Sequence, residues 1–215
     1  MIQKTRRRRS AAMLVAAVAL AVVAAGCRSG SGGGAKTDKP SSSIVVAMDQ
    51  GSLRTLDPNN GYEPEWFVIS HQVYQTLVSF SGADVQKVTP ALAESWTISP
   101  DSTSYTFKMD ARAKFADGSA VTAEDAAFAL RRFKNTKGPG AWLLDNMADA
   151  QAQDDQTLVV TLKASDVSFL SVLTSPSLAI GKAETIKANG GTDAPDADST
   201  DKAQPWLNEH SVGSG

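Results

Sequence analysis

Residues 89–130, TPALAESWTISPDSTSYTFKMDARAKFADGSAVTAEDAAFAL, limit what this chain can fold into more than any other stretch. Side chains alternate along a strand, so Trp96 and Ile98 share one face of SWTI. Pro100 and Asp101 mark a turn. In SYTFKM, Tyr105, Phe107 and Met109 then fall on one face and Ser104, Thr106 and Lys108 on the other. The pattern predicts a half-buried antiparallel hairpin with Trp96 buried against the second strand. Asp117-Gly118 marks a further turn. Thr122 reads as a helix N-cap with Asp125 three residues on, a variant of the capping box. Ala126, Leu130 and Phe133 continue at helical spacing.

The N-terminus has a different grammar. Arg6 to Arg9 precede an apolar run over residues 11–25, which ends in Ala24-Ala25-Gly26-Cys27. Fifteen apolar residues are short for a membrane span, and the succession predicts an export signal over residues 1–26. Small residues ahead of Cys27, the single cysteine, predict lipid attachment there, and one cysteine forms no internal disulfide. Residues 27–43 are rich in Gly and Ser, as in a flexible tether. The first 26 residues hold five bases and no acid, so the remainder carries 16 bases against 23 acids, a net −7. That sign argues against nucleic acid as the partner.

Along the rest of the chain, Ile44 to Met48 read as a buried strand leading through Gly51, Ser52 and Leu53 to Leu56-Asp57-Pro58. Trp66, Ile69, Val73 and Leu77 predict a helix over residues 65–77. Lys137-Gly138-Pro139-Gly140 must be a loop, and Trp142 beyond it is either a core residue or a cleft-facing aromatic. DDQTLVVTL predicts a second hairpin over residues 151–163, and residues 167–173 a short helix. Residues 190–204 are acidic and almost free of large apolar side chains, so they read as a flexible surface loop. His71 reads as an ordinary helix histidine. With His210 the only other, neither a metal site nor a catalytic triad is recognisable, and no cofactor is expected.

The order of five elements resembles the extracellular solute-binding proteins, family 5, that serve peptide and nickel ABC importers. They are the PALAESW run from Pro90 to Trp96, the Ser99–Asp101 turn, the Tyr105–Phe107 strand, the Lys114–Gly118 turn and the helix start from Val121 to Asp125. Where the family has a basic, glycine-containing run before the second turn, this chain has MDARA. The resemblance implies a mixed α/β fold of the type II periplasmic-binding-protein kind, in which two lobes close over a ligand. It implies the main subdomain's first strand and loop over residues 44–60, a smaller subdomain over 61–189 and a return towards the main one over 205–215. The remainder and the second lobe would be absent, so the chain is expected to be an N-terminal fragment. Gly51, Ser52 and Leu53, with Trp142 as the aromatic candidate, are the expected ligand contacts. The implied partners are an oligopeptide or other small solute and a membrane ABC permease, with the chain acting as a monomer without enzymatic chemistry. The alternatives are a lipoprotein domain that acts only through partner contacts and, with least support, a secreted hydrolase.

Overall fold

The computed structural model describes residues 47–49 and 51–215. Residues 1–46, with the expected signal, Cys27, the tether and most of the Ile44–Met48 strand, lie outside the described residues. Helix α1 (Pro64–Val73) opens the first layer, with proline in its first turn, where the missing N–H is unused. It stops four residues short of the sequence expectation. Tyr74 is extended (φ −128°, ψ 160°), Gln75 bridges Ile180, and the Leu77 carbonyl accepts from Ala93 N–H. Leu77 keeps the buried role its spacing suggested, but from extended backbone.

Strands β1 (Val78–Ser81) and β2 (Asp84–Pro90) form a hairpin that the sequence reading did not anticipate. Strands β3 (Ala93–Ile98), β4 (Ser104–Met109), β5 (Met147–Asp154) and β6 (Thr157–Leu162) form an antiparallel sheet in the order β3-β4-β6-β5. Tyr105, Phe107 and Met109 face the core, as do Leu158, Val160 and Leu162. Trp96 lies opposite Phe107 and Ile98 opposite Tyr105, on the face foreseen. Their burial is less than foreseen: Trp96 is half-buried and Ile98 is 44% exposed. The physical reason is that β3 is an edge strand among the described residues, so the core ends beneath these two side chains.

Helix α2 (Ala123–Asn135) crosses the sheet. Thr122 Oγ1 accepts from Asp125 N–H and the Asp125 carboxylate accepts from Thr122 N–H, which completes the capping box. The other Asp125 oxygen accepts from Ala183 N–H and ties the helix start to α4 (Ala183–Ala188). Most of α2 is buried, because it lies between two apolar clusters. Ala126, Ala127, Leu130 and Phe133 face the sheet cluster, while Phe128 joins Trp66, Ile186, Leu207 and Val212 on the other side. Apolar residues on two sides of the helix suit such a sandwich, while Arg131 and Lys134 stay only half-buried. Before it, Gly118 takes φ +86° in the Asp-Gly turn.

The short helix α3 (Phe169–Val172) lies within the range expected. Residues 190–204 depart from their expectation as a flexible acidic loop. They carry helix α5 (Ala197–Thr200), and their carboxylates are engaged: Asp193 with Arg131 (2.6 Å), Asp198 with Lys137 (2.7 Å) and Asp201 with Arg132 (2.7 Å). Fixed cations across the segment replace the apolar anchors it lacks. Helix α6 (Gln204–Leu207) follows.

Candidate functional site

The segment that leads out of the expected first strand is held at its far end by one buried charge cluster. Arg132, on α2, is fully buried, and all five of its N–H donors are used. Its Nη1 and Nη2 reach the two Asp57 carboxylate oxygens (2.7 and 2.6 Å), and its Nε and Nη2 reach those of Asp201 (2.7 and 3.0 Å). The fifth donor goes to Asn59 Oδ1 (3.2 Å). Burial pushes the Arg132 pKa down, but hydrogen bonds to Asp57 and Asp201 outweigh it and hold the group above the ordinary guanidinium value. Burial pushes Asp201 up, while the Arg132 hydrogen bond and charge prevail and keep it below the usual carboxylate range. Two-pronged guanidinium–carboxylate pairing gives direction as well as energy. It sets where the chain turns at Leu56-Asp57-Pro58.

Further bonds fix the same segment. Asn208 Oδ1 accepts from Thr55 Oγ1 (2.7 Å) and from Leu56 N–H (2.8 Å), and Asn59 Nδ2 donates to the Ala179 carbonyl (3.2 Å). Upstream of this anchor, Gly51 and Ser52 are exposed, whereas Leu53 packs partly against the Trp66 cluster. Trp142 is 59% exposed, which excludes the core alternative, and it meets Tyr62 edge-on at 6.3 Å. None of these four residues lines the hollows found beside the segment. One hollow, of ≈ 320 Å³, is polar and includes Arg54, Thr55, Asn60, Asp198 and Gln204. Another, of ≈ 230 Å³, is apolar and lies between α1 and residues 207–211, with Leu56, Ile69 and Leu207 on its walls. The structure thus places Gly51 to Leu53 next to an ordered anchor, and Trp142 on a separate aromatic surface with Tyr62.

Sequence reasoning missed Arg132. Its signal was present: it stands four residues after Phe128, on a helix whose other buried positions, the capping Asp125 apart, are Ala, Phe and Leu. A cation at that spacing demands buried acids. Among the described residues no group of three or more His, Cys, Asp or Glu is placed to hold a metal. His71 is exposed, and His210 stacks flat on Trp206 at 4.3 Å. The arrangement offers exposed backbone, hydroxyls, amides and aromatic rings.

Comparison with known proteins matches a large part of the chain to a family. The pattern described as "Bacterial extracellular solute-binding proteins, family 5 Middle" covers residues 87–215. The dipeptide-binding protein DppE of Bacillus subtilis is 27% identical over 159 residues, 66% of this chain and 29% of its own. The nickel-binding periplasmic protein of Escherichia coli is 32% identical over 117 residues, 54% of this chain and 22% of its own. Among solved structures, the ABC transporter-associated periplasmic binding protein DppA from Helicobacter pylori, in complex with the peptide STSA, aligns with a TM-score of 0.58 and 26% identity. That alignment covers 75% of this chain and 33% of DppA. The chain therefore spans a third or less of the length of these relatives. Within that span the four-stranded sheet, the crossing helix and residues 205–215 all fall inside the matched region, and the chain belongs to the bacterial extracellular solute-binding proteins, family 5.

Proposed function

We propose that this chain supplies part of the solute-capturing component of an ABC importer, with a peptide or a similar small polar solute as its cargo. The observation that carries the reading is the shared fold with a peptide-bound periplasmic binding protein. In the proposed arrangement, the exposed backbone at Gly51 and Ser52, with Leu53, forms one wall of the ligand cleft. The Asp57–Arg132–Asp201 cluster keeps that wall in place. Trp142 offers an aromatic face to the solute. Backbone hydrogen bonding suits a peptide because it reads the main chain and tolerates any side chain. Capture of this kind makes and breaks no covalent bond, so the role needs no catalytic group.

The hollows beside residues 54–60 are open to solvent on one side, and enclosure from a second wall is what strengthens polar contacts. The 215-residue chain alone is therefore expected to show no measurable saturation by di- to pentapeptides in calorimetry. Tight binding by the chain alone would overturn the assignment of Gly51 to Leu53 to a half-site. The import role is tested by peptide and nickel uptake in cells that lack this gene. Uptake unchanged for every peptide and for nickel would sink the reading. A lipid on Cys27 would hold the chain at the outer face of the membrane, beside its permease. Mass spectrometry of the membrane fraction checks this, and an intact Met1 or a free Cys27 thiol on exported protein would refute it. One copy of the chain is enough for the capture step.

A further inference from the structure

The four-stranded sheet ends in two edges of opposite character. On β5, the main-chain carbonyls of Met147 and Ala150 accept from Lys134 Nζ and Arg131 Nη1, both on α2. Asp193 in turn holds Arg131 at 2.6 Å. Charged side chains laid over an edge stop another strand from adding to it. On β3, among the described residues, nothing reaches the outer main-chain groups of Trp96 and Ile98. Their direction follows from the ladder. Ser99 N–H donates to the Ser104 carbonyl, towards β4, and successive residues of a strand point their main-chain groups to alternate sides. Thr97 therefore points to β4, and Trp96 and Ile98 point outward. The side chains of Trp96 and Ile98 lie on the core face, where the core stops short of covering them.

We propose that β3 is a self-pairing edge, through which a second copy of this chain joins antiparallel about a two-fold axis at Thr97. In that register Trp96 stands opposite the partner's Ile98, and both have outward N–H and C=O groups to exchange. The same register sets Ile98 opposite the partner's Trp96. These apolar side chains meet on one face and continue the core across the junction. Thr97 faces the partner's Thr97 on the other side of the sheet. Residues 95–99 read SWTIS, with no charge, so the two-fold superposition brings no like charges together. This self-complementarity of hydrogen bonds and apolar faces favours a second copy over an unrelated strand. The paired stretch is short, so association is weak and the chain is single at high dilution.

The test is sedimentation of the purified full chain over a concentration series. The mass should climb from that of one chain towards two. Ile98→Pro removes an outward N–H and leaves the bonds to β4 intact, a position an edge strand tolerates. It should weaken association at least about tenfold, with an unchanged far-ultraviolet spectrum as the check on folding. Independently, Thr97→Cys in a Cys27→Ser background should form an intermolecular disulfide, because directly opposed residues of a non-hydrogen-bonded pair lie about 4.5 Å apart at Cα. Val167→Cys in the same background, on a loop and 82% exposed, measures random collision. The proposal is overturned by a mass of one chain at every concentration, or by Thr97→Cys crosslinking no faster than Val167→Cys. A single chain whose β3 amides become protected only on adding an extended apolar peptide would overturn it too, since the edge would then serve another protein's strand.

Discussion

Arg132 shows how much can hang on one side chain. Its charge is buried between two carboxylates, and each partner comes from a different part of the chain: Asp57 from the first loop and Asp201 from the acidic segment. Replacing such a triad with apolar groups can be neutral, but removing one member leaves charges buried without a partner. Arg132→Ala should therefore cost about 3–5 kcal/mol in a urea titration. A loss below about 1 kcal/mol would mean that water takes the guanidinium's place. Trp96 and Phe107 make a contrasting pair, directly opposite each other but unequally buried. Phe107→Ala should cost about 3–5 kcal/mol, the range for a large core aromatic, and Trp96→Ala roughly half of that. Equal losses would show that the edge position does not expose Trp96.

Among the elements, α2 ties the chain together. It packs against the sheet on one side, against the Trp66 cluster on the other, and carries Arg131, Arg132 and Lys137 nearby to meet the acidic segment. Its start is local chemistry, since the Thr122 and Asp125 side chains each satisfy an N–H that the first turn leaves free. Thr122→Ala should destabilise the protein by about 1 kcal/mol, with a lowered denaturation midpoint and an unchanged denaturant slope. Asp125→Ala should cost more, because its second oxygen also holds Ala183 N–H and so ties α2 to α4. Equal effects would show that this second bond contributes nothing. The edge strands β3 and β5 differ because α2 reaches only one of them with its cations.

For the whole molecule, the charge cluster couples folding to acidity. The Asp201 carboxyl lies below its ordinary range in the folded state, and its side chain is only 6% exposed. A group depressed in this way contributes stability that is complete above its unfolded pKa, about 3.9, and that is lost as pH falls through the lower folded value. Stability should thus hold from neutral pH to about pH 4 and then fall. Asp201→Asn should lower stability at pH 7 by about 1–3 kcal/mol and flatten the acid limb. Urea titrations across pH check both. An acid limb as steep in the variant as in the parent would assign acid sensitivity to other carboxylates.

The local elements are legible in the chain alone. The β3–β4 and β5–β6 hairpins, the Gly118 turn and the capped start of α2 were all readable, because alternation, turn residues and capping pairs act between near neighbours. Features that depend on distant partners emerge once the chain has folded. The helix from Pro64 ends at Val73 because Gln75 and Leu77 are claimed by Ile180 and Ala93. Periodicity alone carries no sign of that competition. Trp142 is exposed and rests edge-on against Tyr62, distant in sequence, and Trp96 is half-buried because, among the described residues, no strand lies beyond β3. Residues 190–204 have the composition of a flexible loop, yet three aspartates there meet cations on or just after α2. Charge pairing across sixty or more residues leaves no periodic trace in the chain, so only the folded molecule could reveal that Asp57, Arg132 and Asp201 are one site.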